Sequence, residues 1–150
     1  EVVAGGEGAW AVKRASIVVL AVPFAAAGPL LAALRPHLAQ GKIILDITNP
    51  KYDSQMIENI AAVDINRAVL NSPECQWAVA YKSVFSRALQ FGPDNAQMID
   101  ICGDQDARVA VADLVRSHGW NPRVRGTLRE AIALEPGRRV AQITQMYGSS

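Results

Sequence analysis

Cysteine is nearly absent. Cys75 and Cys102 are the only two in 150 residues, which excludes a disulfide framework and a four-ligand cysteine metal site. Cys102 falls inside a predicted strand and reads as a small core residue. No apolar run approaches the roughly 20 residues needed to span a bilayer, and no basic-then-apolar segment opens the chain. The default compartment is therefore the cytoplasm. Charge of one sign is also lacking: the formal net charge is +1, with no long basic run, so there is no electrostatic footprint for nucleic acid. Arg123, Arg125 and Arg129 form a small local cluster that reads as a solvated face. Glycines gather at Gly5-Gly6-Glu7-Gly8, yet neither G-x-G-x-x-G nor G-x-x-x-x-G-K-[ST] is spelled. A phosphate-loop reading of that turn is rejected.

What is present is apolar substance: 50% of the residues are hydrophobic and 19% charged, enough for one compact α/β domain with a real core. The chain is organised around residues 16–50. Ser16-Ile-Val-Val-Leu-Ala-Val22 is halted by Pro23, an alanine- and leucine-rich segment follows, and Ile43-Ile-Leu-Asp-Ile-Thr-Asn-Pro50 ends in a second proline. The pattern is strand, helix, strand. Both runs are continuous rather than alternating, as strands of a parallel sheet covered on both faces require. Val19→Asp is accordingly expected to unfold the domain. Each proline forces the chain out of the sheet, at the carboxyl ends where open α/β sheets bind ligands. Asp46 interrupts the second run and, if buried, needs partners.

The remaining pattern continues in kind. Residues 9–14 form a helical piece, residues 23–37 a helix interrupted near Gly28-Pro29, and residues 51–69 a weakly helical crossover. A third strand spans residues 76–81, stopping at Lys82-Ser83; residues 89–93 read as a loop and residues 97–102 as a fourth strand. An amphipathic helix follows over residues 106–118, with Val109, Val111, Leu114 and Val115 inward and Gly119 as its stop. A short strand over residues 120–124 precedes a helical region over residues 128–146, capped by Thr127 and broken near Pro136-Gly137. The fold expected is a doubly wound, mostly parallel Rossmann-like sheet with right-handed crossovers. Because it opens on a short βα piece before a central strand, the chain reads as N-terminally truncated.

The blocks Ile17-Val-Val-Leu-Ala-Val-Pro23, Gly41-Lys-Ile-Ile-Leu-Asp-Ile-Thr-Asn-Pro50, Ala88-Leu-Gln-Phe-Gly-Pro93, Ile101-Cys-Gly-Asp104 and Gly126-Thr-Leu128…Ala131…Leu134-Glu-Pro136 resemble the coenzyme F420 (deazaflavin)-dependent NADP oxidoreductases. They resemble still more the reductase domain of the six-transmembrane (STEAP) metalloreductases. The resemblance implies that residues 1–150 are the larger, C-terminal part of one NADP-binding Rossmann domain. Its glycine-rich first βα turn, which would hold the pyrophosphate on a helix N-terminus, has no counterpart here. The resemblance further implies hydride transfer between NADP(H) and a flavin or deazaflavin (F420), with the cofactors supplying the reactivity. No catalytic side chain and no metal is called for.

By the same resemblance, Ala21, Val22, Pro23 and Phe24 together with Thr48, Asn49 and Pro50 flank the nicotinamide, while Tyr81, Lys82 and Ser83 border the second ring system. The family's Lys-Ala-Phe-Asn is replaced by Val79-Ala-Tyr-Lys82, and Ile132 stands where many members carry arginine, so the small-molecule electron acceptor is left open. An open sheet edge leaves room for a partner, a homodimer included. The alternative is a non-enzymatic Rossmann-like remnant that serves as a structural or interaction domain. Absence of the first motif favours that alternative, and retention of both proline-ended loops opposes it.

Overall fold

The computed structural model describes residues 8–38, 41–50, 60–84, 86–93 and 97–136. A first helix, α1 (Gly8–Arg14), leads into β1 (Ile17–Leu20), α2 (Phe24–Leu38) and β2 (Ile43–Asp46). Next come α3 (Ala62–Leu70), β3 (Gln76–Val79), α4 (Ser86–Phe91), β4 (Met98–Gly103), α5 (Gln105–Ser117) and β5 (Asn121–Gly126). A 3-10 turn, Leu128–Glu130, and α6 (Ala131–Leu134) close the described chain. The turn at Gly5-Gly6-Glu7-Gly8 and the continuation to residue 146 lie largely or wholly outside the described residues.

The five strands form one sheet in the order β1-β2-β3-β4-β5. The pairs β1–β2, β2–β3 and β4–β5 are parallel, whereas β3–β4 is antiparallel. The α/β Rossmann-like architecture read from the sequence is therefore what is found, with one strand reversal in an otherwise parallel sheet. The register places Leu20 opposite Asp46 and Asp46 opposite Val79. The carboxyl ends of β1, β2 and β3 thus finish level at one end of the sheet. Because β4 and β5 run the other way, Trp120, just before β5, stands at that same end.

Consecutive residues of β2 enter opposite cores. Ile44 joins Leu31, Leu38, Val63, Leu70 and Trp77 on one face, and Leu45 joins Ala78, Ile99, Ile101, Val111 and Val115 on the other. This two-sided burial is why the run around β2 is continuously apolar. Side-chain cations close two helices. Lys42 donates from Nζ to the carbonyls of Lys13 (3.1 Å) and Ala15 (2.7 Å) at the end of α1. Arg35 donates to the carbonyls of Leu70 (2.9 Å) and Val69 (2.7 Å) at the end of α3. Both satisfy carbonyls that a helix terminus leaves without intrahelical partners.

Three local expectations are corrected. The first strand is not covered on both faces: Val19 is 46% exposed, and among the described strands β1 pairs on one side only. Val19 is in register with Leu45, on the face covered by α5, and the strands that α5 packs against run from β2 to β5. Residues 89–91 belong to α4 rather than to a loop; the chain leaves that helix only at Gly92, whose φ of +84° ends it before Pro93. Val109 points outward at 58% exposure, because the inward stripe of α5 is Ala107, Val111, Ala112 and Val115.

Glycine is required at position 103. A Cβ there would lie 2.7 Å from the Trp77 carbonyl oxygen and 2.9 Å from the Ala78 Cα, where β4 meets β3. Gly103→Ala should destabilise the fold by roughly 1–3 kcal/mol in urea melts, since backbone rather than a flexible side chain would have to yield. Val19→Asp, by contrast, should cost less than about 1 kcal/mol, as substitutions of exposed residues do. A collapse of the fold in the latter variant would show that the β1 face is covered after all.

Candidate functional site

Asp46 is the last residue of β2 and is 0% exposed. A carboxylate there is tolerated only if its lone pairs are taken up, and four donors do so. Its Oδ1 accepts from the Thr48 backbone N–H (2.8 Å), from the Thr48 hydroxyl (2.7 Å) and from the Lys82 ammonium (3.3 Å). Its Oδ2 accepts from the Asn66 amide of α3 (2.8 Å). Thr48, Asn66 and Lys82 are themselves buried. The Lys82 ammonium also donates to the Thr48 backbone carbonyl. The result is a closed polar cluster of β2, the residues after it, α3 and the segment after β3.

The path of the chain explains how Lys82 reaches inward. Tyr81, two residues beyond β3, has a φ of +57°, a left-handed conformation that is uncommon for a bulky residue. A turn follows, with the Val84 N–H donating to the Tyr81 carbonyl (3.2 Å). The Tyr81 ring stands edge-on to Trp120, with centroids 6.0 Å apart and planes at 86°. Burial raises the pKa of its hydroxyl.

The ten residues proposed from the sequence occupy three segments at this end of the sheet. Ala21, Val22, Pro23 and Phe24 follow β1; Ala21 and Pro23 are exposed, Val22 and Phe24 half-buried. Thr48 is buried, Asn49 exposed and Pro50 half-buried after β2, while Tyr81 is half-buried, Lys82 buried and Ser83 exposed after β3. The first segment comes alongside the second through the parallel pairing, which the Ile47 N–H extends by donating to the Leu20 carbonyl (3.3 Å). The second and third are joined by side chains: besides the Thr48–Lys82 contact, the Asn49 amide donates to the Lys82 carbonyl (2.8 Å). Asn49 thus bridges two loops, a role beyond the place beside the nicotinamide that the resemblance implies for it.

Asn66 escaped the sequence reading. Its signal was position: it lies three residues after Val63 and four before Leu70, both fully buried, so helical spacing turns it inward. Among the described residues no group of three histidine, cysteine, aspartate or glutamate side chains is placed to hold a metal ion. Nor is any helix among them long and apolar enough to cross a membrane.

The match that bears on identity covers both proline-ended segments. Residues 3–50 match the family of NADP oxidoreductases described as coenzyme F420-dependent. This is one of the two families that the sequence resembles, and the match does not extend to the STEAP metalloreductases. The matched stretch contains Ala21, Val22, Pro23, Phe24, Thr48, Asn49 and Pro50; Tyr81, Lys82 and Ser83 lie beyond it. No curated protein matches the chain.

Solved structures give the fold. A hypothetical protein from Sinorhizobium meliloti is similar with a TM-score of 0.73 and 22% identity over 87% of this chain and 66% of its own. A candidate F420-dependent NADP reductase from Arthrobacter sp. FB24 has a TM-score of 0.70 and 22% identity over 94% of this chain and 69% of its own. Pyrroline carboxylate reductase from Plasmodium falciparum, solved with NADP bound, has a TM-score of 0.52 and 15% identity over 79% of this chain and 39% of its own. At such identities the likeness is one of architecture, an architecture shared with NADP-dependent reductases.

Cys102 of β4, which pairs with Val79, reports on this interior. Burial pushes its thiol up to about 12, against a smaller opposing pull from Lys82. A folded-state value above the unfolded one makes the neutral thiol a stabilising feature below the unfolded value, near 9, and that contribution is lost as pH rises toward 12. The melting temperature should therefore fall more steeply between about pH 9 and 12 in the parent chain than in Cys102→Ala. Parallel profiles would show that the thiol ionises without opening the core.

Proposed function

We propose that the chain is an NADP(H)-dependent oxidoreductase domain that aligns the nicotinamide for hydride transfer to or from a flavin or deazaflavin. The observation that carries this reading is the family match over residues 3–50, whose two proline-ended segments sit level at the carboxyl end of the sheet. Ligands of open α/β sheets bind there.

The residues present fit a nicotinamide. Asn49 is exposed and its carbonyl oxygen takes no hydrogen bond among the described residues, leaving an acceptor suited to a carboxamide N–H. Phe24 and Tyr81 offer half-buried aromatic surface on either side. The bound cofactors would supply the hydride chemistry, and the protein supplies their binding, orientation and shelter from water. No acid or base is assigned among the ten residues. Nine of the ten are proposed to face the cofactors, Ala21, Val22, Pro23, Phe24, Thr48, Asn49 and Pro50 toward the nicotinamide and Tyr81 and Ser83 toward the second ring, while the Lys82 side chain is buried.

Because the glycine-rich pyrophosphate turn is not spelled in this sequence, binding of NADPH by these 150 residues is expected to be weak. The reading as a non-enzymatic interaction domain draws on that same feature. Calorimetry with NADPH, followed by single-turnover oxidation of NADPH with FMN, FAD or coenzyme F420 as acceptor, separates the two. Hydride transfer to at least one acceptor is expected; absence of NADPH binding at millimolar concentration would leave the interaction-domain reading.

Asn49→Ala tests the alignment itself. Loss of the bond to the Lys82 carbonyl should lower stability by about 1 kcal/mol, while the hydride-transfer rate at saturating NADPH should fall by far more. A displacement of about 1 Å can cost roughly a hundredfold in rate. A lower melting point with a normal rate would remove Asn49 from the site.

A further inference from the structure

The family resemblance sets Lys82 beside the second ring system, but its side chain is not at the surface. The side chain is 1% exposed, against 0% for its ion-pair partner Asp46. Its ammonium has three donors, and two are assigned: one to the Asp46 carboxylate and one to the Thr48 backbone carbonyl. Its own backbone carbonyl receives the Asn49 amide. Lys82 therefore holds the residues after β2 at two points, Thr48 through its ammonium and Asn49 through its backbone carbonyl. The left-handed turn at Tyr81 directs the chain so that this becomes possible.

Building on the functional reading above, we propose that Lys82 is a positioning residue rather than a cofactor ligand. With Asp46 and Asn66 as its anchors inside the fold, it fixes the Thr48-Asn49-Pro50 segment in the shape that meets the nicotinamide. Thr48 transmits the constraint, since its N–H, hydroxyl and carbonyl are all engaged by Asp46 and Lys82. Asn49 is then presented with the amide N–H of its side chain held and its side-chain oxygen without a partner among the described residues. Neither Asp46 nor Lys82 touches the ligand.

The test uses the whole chain and reads the segment directly. Removing one member alone would strand a buried charge, so the informative variant is the double substitution Asp46→Asn with Lys82→Met; replacing a buried pair by neutral groups of similar volume is often tolerated. This variant should keep its melting temperature within a few degrees. Hydrogen exchange of the amides of residues 47–49 should quicken at least tenfold, while amides of β4 keep the parent rate, and hydride transfer at saturating NADPH should fall at least tenfold. Unchanged exchange at residues 47–49, or an equal rise everywhere, would overturn the proposal.

A second measurement, on the unmutated chain, holds even if the double variant does not fold. The Lys82 ammonium should give a slowly exchanging resonance that NADPH leaves in place. An unprotected ammonium, or one whose resonance moves on addition of NADPH, would make Lys82 solvent-exposed or a ligand and so overturn the positioning role. Loss of NADPH binding in the double variant without faster exchange at residues 47–49 would do the same. If the exchange results hold but the parent chain does not bind NADPH, the positioning of the segment stands and the functional reading alone fails.

Discussion

One buried carboxylate sets the terms for this molecule. Asp46 ends the strand whose two faces fill both cores, and at that depth an ionised group without partners would cost several kcal/mol. Four donors from three separate parts of the chain converge on it. Satisfying Asp46 therefore obliges the residues after β2, helix α3 and the segment after β3 to meet at one place. Such a pair adds little to net stability compared with well-packed apolar residues. Its value lies in the geometry it enforces.

The sheet supplies the platform. Because β1, β2 and β3 run parallel in register, their exits finish at the same level, and the proline after each of the first two runs turns the chain out of the sheet there. The reversal at β4 brings Trp120 to the same end, where it backs the Tyr81 ring. Rigid strands below and a bonded polar cluster between the exits leave Asn49, Ser83, Ala21 and Pro23 exposed above. A cofactor whose chemistry needs alignment more than acid or base help is suited to such a surface.

Much of this could be read in the sequence, for identifiable reasons. The continuous apolar runs gave β2 and β3 because both strands are buried on two faces, and Gly119, with a φ of +84°, ended α5 as its freedom from a Cβ allows. Asp46 announced a need for partners merely by standing in an apolar run. What could not be read was which partners. Lys82 and Asp46 are 36 residues apart, and the inward course of Lys82 depends on a left-handed Tyr81 that no propensity favours. The exposure of Val19 escaped for a related reason: an apolar run records what a strand could bury, not how far the covering helix extends. Val109 was assigned inward by hydrophobicity alone, whereas the small residues Ala107 and Ala112 hold the inner face of α5.

The most direct measurement of the site is a nuclear magnetic resonance titration of the nitrogen-15-labelled chain with NADPH. Resonances of Ala21, Val22, Phe24, Thr48, Asn49, Tyr81 and Ser83 should move together along one binding curve, while those of Gly103, Asp104 and Gln105, at the far end of the sheet, stay in place. Shifts confined to that far end, or no shifts at all at millimolar NADPH, would contradict a nicotinamide site at the carboxyl ends of β1, β2 and β3.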